Sequence, residues 1–74
     1  MYYLEGIVKN NTSYDYSYVQ ITFNLYDAQG NAIGSAMDNI NGLKSGGTWK
    51  FKAIGLIDDP DDVARYELSE ISGW

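Results

Sequence analysis

The chain has 74 residues, no cysteine and no histidine, and its ten carboxylates outweigh five bases for a formal net charge of −5. A chain of this length makes one domain, whose core must come from aromatic and aliphatic side chains because neither a disulfide nor a thiolate metal site is available. The acid excess argues against a nucleic-acid or anionic-membrane partner, and no apolar run approaches the roughly 18 residues of a membrane span.

Taken in order, Tyr2 to Lys9 is the first predicted strand, with Leu4, Gly6 and Val8 on one face and Tyr3, Glu5, Ile7 and Lys9 on the other. Gly6 in mid-strand predicts a bulge or a close backbone approach, and Ile7 an exposed edge or added cover. Asn10 to Ser17 is a polar connection carrying Tyr14 and Tyr16. Tyr18 to Asp27 is the predicted central strand, because Val19, Ile21, Phe23 and Leu25 alternate strictly with polar residues and tyrosines. Asp27-Ala28-Gln29-Gly30-Asn31 follows as a hairpin turn, with the Asp27 side chain expected to accept backbone donors within it.

Ala32 to Met37 pairs back as a shorter strand whose two faces are both small or apolar, so the pattern does not choose an inward side. Asp38 to Gly47 reads as a long connection anchored by Ile40 and Leu43. Thr48 to Ala53 places Trp49, Phe51 and Ala53 on one face and Lys50 and Lys52 on a solvated one; Ile54 and Leu56 leave its end open.

Asp58-Asp59-Pro60-Asp61-Asp62 predicts a short helical turn near residues 60–64, with Asp59 as cap, Pro60 in the first position, and Asp61 and Asp62 at the positive end. Arg65 to Ile71 alternates again: Tyr66 and Leu68 share a face, and Ile71 joins them only if a bulge lies near Glu70. Trp74 is expected to fold back over the open end of the core. Five main strands and no substantial helix predict an all-β fold, a small antiparallel β-sandwich of two packed layers.

Without His or Cys the usual nucleophile–base pairs are missing, and nothing in the spacing sets two carboxylates around a cleft, so no catalytic residue is assigned and no cofactor is expected. A small enzyme is the least favoured reading. Asp58, Asp59, Asp61 and Asp62 are the residues that would hold a calcium ion if one bound, but they lack the spacing of an EF-hand loop, and capping with solubility explains them better. Tyr14, Tyr16 and Tyr18 occupy alternate positions leading into the central strand and form the candidate ligand or partner surface, tyrosine offering large area with a polar tip.

Phe23-Asn24-Leu25-Tyr26-Asp27 carries the F-x-L-Y-D signature, and Gly6, Asn10, Gly30 and Leu43-Lys44-Ser45-Gly46-Gly47-Thr48-Trp49-Lys50-Phe51 extend the likeness over nearly the whole chain. The sequence thus resembles the FxLYD domain family, with Ser45 where that family commonly has proline. The resemblance implies an immunoglobulin-like β-sandwich from a secreted or surface-attached bacterial or archaeal protein, often beside other domains or behind a lipoprotein signal. It implies no catalytic set. Residues 1–74 are accordingly expected to be one module of a larger exported protein, although the chain carries no export signal of its own. Its expected role is that of a non-catalytic spacer, assembly or protein-contact domain, with other domains of the same protein or cell-surface proteins as partners. A weak carbohydrate- or calcium-binding module is the alternative.

Overall fold

The computed structural model describes residues 1–74. Five antiparallel strands, β1 (Tyr2–Lys9), β2 (Val19–Tyr26), β3 (Ala32–Ile40), β4 (Thr48–Gly55) and β5 (Arg65–Gly73), form one sheet in the order β1-β4-β3-β2-β5. The all-antiparallel, five-strand content is as expected. The sheet is continuous and curled into a half-barrel, because Ala36 and Met37 of β3 pair with Gly55 and Ile54 of β4 and stitch two arms together at a corner. Beyond that corner β3 and β4 part. One arm is the β1–β4 pair, aligned over eight residues from Tyr2↔Gly55 to Lys9↔Thr48; the other is β3-β2-β5.

The curl turns the apolar rows of the two arms toward each other. Val19, Ile21, Phe23 and Leu25 of β2 are all buried, as alternation requires, and they meet Leu4 of β1, Ala36 of β3, Trp49, Phe51 and Ala53 of β4, and Leu43. The Phe23 and Phe51 rings lie 5.6 Å apart across the core, and Trp49 meets Phe51 edge-on at 6.0 Å. Each fully buried ring contributes about 2 kcal/mol or more. Gly6 makes the predicted close approach: a Cβ there would stand 2.6 Å from the Phe51 ring. Ile7 lies exposed on the outer side of β1, an edge strand, and Lys52 lies 4.7 Å over the neighbouring Tyr3 ring.

β3 runs three residues past its expected end, through Asp38-Asn39-Ile40, because Asn39 and Ile40 still find partners in Gln20 and Val19. Register with β2 also settles its facing, which the small residues left open. Ala36 opposes Phe23 and points inward, while Met37 opposes Thr22 and points out. β4 continues to Gly55, whose missing side chain makes room for Leu25.

The short 3₁₀ turn Pro60–Asp62 forms as predicted, with the Asp59 side chain accepting the Asp61 N–H at 3.0 Å. In β5 the register slips between Thr22 and Phe23 of its partner, so that Leu68 opposes Phe23 but Glu70 opposes Thr22. Ser69 is the extra residue, and this bulge returns Ile71 to the inward row with Tyr66 and Leu68. Trp74 does not cover the core end. Its N–H donates to Tyr18 O and its carbonyl accepts the Tyr18 N–H, prolonging the ladder by one residue, and with Gly73 opposite Val19 that parity turns Trp74 outward. It packs on Tyr18, ring centres 5.0 Å apart, and is 61% exposed.

Candidate functional site

Strand β5 is an edge of the half-barrel and pairs only with β2. Its inward residues oppose three buried residues of β2, Tyr66 against Leu25, Leu68 against Phe23 and Ile71 against Ile21. Nothing from the other arm reaches over them: Tyr66, Leu68 and Ile71 remain 53, 54 and 46% exposed. Tyr66 meets the Phe23 ring edge-on at 6.0 Å. The other edge strand differs, since Leu4 of β1 is buried and Val8 is half-covered. The inward row of β5 is thus an apolar surface facing open solvent along a strand whose outer backbone edge is unpaired.

At the far end of this row a groove of about 300 Å³ opens between the two arms, lined by Val8 of β1, Val19, Tyr16, Leu43, and Ile71 and Gly73 of β5, with Lys9, Asn11 and Thr12 at its rim. Asn10 builds its wall. The Asn10 side chain is buried, donates to the carbonyls of Tyr14 (2.7 Å) and Leu43 (3.0 Å), and accepts from the N–H and hydroxyl of Thr12 at 3.0 and 2.6 Å. Its backbone pairs with the Gly46–Gly47 turn. Asp15 accepts the Ser45 N–H at 2.8 Å and the Ser45 hydroxyl donates to Thr12 O. One side chain therefore joins the β1–β2 connection to the turn before β4, and it satisfies every polar group it buries.

Of the three candidate tyrosines, Tyr14 and Tyr16 pack on each other and Tyr18 packs on Trp74. Tyr16 bridges to Leu43 through two backbone hydrogen bonds and lays its ring over Gly73, where a Cβ would stand 2.9 Å from it. Tyr14 is exposed and packs edge-on against Tyr16 at 4.8 Å. Tyr18 lies past the bend at Ser17, with its hydroxyl donating to Gln20 Oε1 and its ring against Trp74. Tyr16, not Trp74, closes the end of the core.

The acidic run is spread along its turn. Asp59 caps, Asp61 and Asp62 occupy the first turn, and no group of three or more His, Cys, Asp or Glu side chains converges to hold a metal ion. Asp27 acts within its hairpin, its carboxylate accepting the N–H groups of Gln29 (3.0 Å) and Asn31 (2.8 Å) and the Asn31 side-chain amide (3.2 Å). The Asn31 N–H, foremost among these donors, holds the Asp27 carboxyl below its ordinary value of 3.8 against an opposing desolvation. No helix is long and apolar enough to cross a membrane.

The exposed row Tyr66, Leu68 and Ile71 is the feature sequence reasoning missed. Alternation and the conditional bulge pointed to a shared face, but not to its lack of cover. No family model, curated protein or solved structure matches the chain.

Proposed function

We propose that the chain is a non-catalytic protein-contact module, an immunoglobulin-like sandwich of FxLYD type carried on the surface of a bacterial or archaeal cell. The observation that carries the contact role is the uncovered row Tyr66, Leu68 and Ile71. A spacer needs only polar faces, whereas three large apolar residues aligned on one strand are a surface suited to a partner. The family assignment draws support from the use of the signature residues: Phe23 and Leu25 are core, Tyr26 carries Arg65 over its ring at 4.8 Å, and Asp27 ties its turn. Each has an architectural task, consistent with a motif that marks a fold.

Site-specific photo-crosslinking in the producing cell tests this. A photoreactive residue at Leu68 should give a discrete protein adduct that one at Gln20, on the opposite face, does not give. Equal adducts from both positions, or none from Leu68, overturn the contact role. Protease digestion of intact cells tests the surface location.

A further inference from the structure

Resting on the contact role above, we infer that β5 takes an additional strand: an extended segment of a partner protein in which apolar residues alternate with lysine or arginine. Its backbone pairs with the free edge of β5, which has hydrogen-bonding groups facing away from β2 and no neighbour there. Its apolar residues lie beside Tyr66, Leu68 and Ile71. A regularly alternating strand fits this edge as β2 fits the other, because the Ser69 bulge keeps all three residues on the inward row. The groove between Val8 and Ile71, about 300 Å³ with an apolar floor, receives one side chain at the Gly73 end of the segment.

Charge decides the other row. Before Asp58 the chain carries four carboxylates and four bases; from Asp58 onward it carries six carboxylates and one base, so the whole net charge of −5 belongs to the last 17 residues. On β5, Glu67 and Glu70 alternate with the apolar row, and Asp61 and Asp62 stand just before it. The single base, Arg65, is already engaged with Glu67 at 3.6 Å and with the Tyr26 ring. The four lysines lie at Lys9, Lys44, Lys50 and Lys52, on β1, on β4 or in the turn before β4. An incoming strand with cations on its outer row therefore meets Glu70, which has no cationic partner, and the exposed Glu67, which shares only Arg65, while one carrying acids is repelled.

The test uses the whole chain, isotopically labelled, titrated with a nine-residue peptide alternating valine and lysine, the length of β5. Controls carry glutamate in place of lysine, or the same valines and lysines segregated into two blocks. Saturable shifts and slowed exchange of β5 amides, with the alternating Val/Lys peptide at least about tenfold tighter than either control, are expected. Leu68→Ser, folded by its amide spectrum, should weaken that binding about tenfold. Equal affinity for the block peptide, shifts confined to β1 or to Asp58–Asp62, or no shifts at all overturn the proposal. So does protection of β5 that rises with protein concentration without peptide, which assigns the edge to a second copy. A Leu68 adduct in cells alongside failure of the peptide would remove strand addition and leave the contact role standing; loss of the adduct removes both.

Discussion

The Asp38 carboxylate accepts a hydrogen bond from the Lys52 backbone N–H at 2.9 Å, bridging β3 and β4 just past the last residues at which their ladder is paired. Asp38 lies on the inward row between Ala36 and Ile40, where β4 has turned away, and its side chain supplies an acceptor that the β3 backbone no longer offers. Asp38→Ala should lower stability by about 1 kcal/mol, and Asp38→Asn, which keeps an acceptor, by less. Urea unfolding followed by tryptophan fluorescence measures both; equal losses would show that the acceptor is irrelevant.

Gly6 and Gly34 both lie within strands, and they should respond in opposite ways to alanine. At Gly6 the new Cβ would press on the Phe51 ring, which is held against Phe23, and a loss of about 1–3 kcal/mol is expected. At Gly34 nothing lies within 4 Å, so alanine should be neutral or stabilise by up to about 1 kcal/mol. Thermal unfolding of the two variants in parallel gives the comparison, and a Gly6→Ala protein as stable as the parent would place Phe51 elsewhere.

Asn10→Ala should remove the buried junction between the β1–β2 connection and the turn before β4. With the carbonyls of Tyr14 and Leu43 losing a shared donor, a loss of about 2–3 kcal/mol is expected. Asn10→Asp should cost no less, because it sets a carboxylate oxygen against those same carbonyls. Amide exchange should quicken at Leu43 and Gly46 in both, and unchanged exchange there would contradict the junction.

Asp27 gives a pH signature of definite sign. Its folded carboxyl titrates below the unfolded one, so its contribution is present above the unfolded value near 3.8 and is lost as pH falls through the folded value. Asp27→Asn keeps an acceptor for the turn but cannot titrate. The stability difference between parent and variant should be flat above about pH 5 and change only below it, in the direction of relative loss by the parent. Side-chain carboxyl NMR should find Asp27 titrating at lower pH than an ordinary aspartate; titration at or above the ordinary value would remove the expectation.

The two apolar rows of the β2–β5 pair should differ sharply in cost. Phe23→Ala should lose about 3–5 kcal/mol, a large share of the roughly 4–11 kcal/mol available to a chain of this size, whereas Leu68→Ala should lose about 1 kcal/mol or less. Comparable losses at both positions, read from urea midpoints, would mean that β5 is covered after all.

What the sequence determined by itself was local. Alternation placed Val19, Ile21, Phe23 and Leu25 on one face, Asp27 and Asn31 closed a turn four residues apart, and Asp59 capped the turn at Pro60, because strand parity and short-range hydrogen bonds depend on neighbours along the chain. Even the return of Ile71 to the inward row was legible as a condition on a bulge. The tertiary structure alone decided the rest: that Ala36 faces in, that β3 reaches Ile40, that Trp74 turns out while Tyr16 closes the core end, and that Tyr66, Leu68 and Ile71 face inward yet stay uncovered. Parity says which residues share a face. Whether anything covers that face depends on the curl of the sheet and on the two-residue corner joining β3 to β4, contacts between residues distant in sequence that no local pattern encodes.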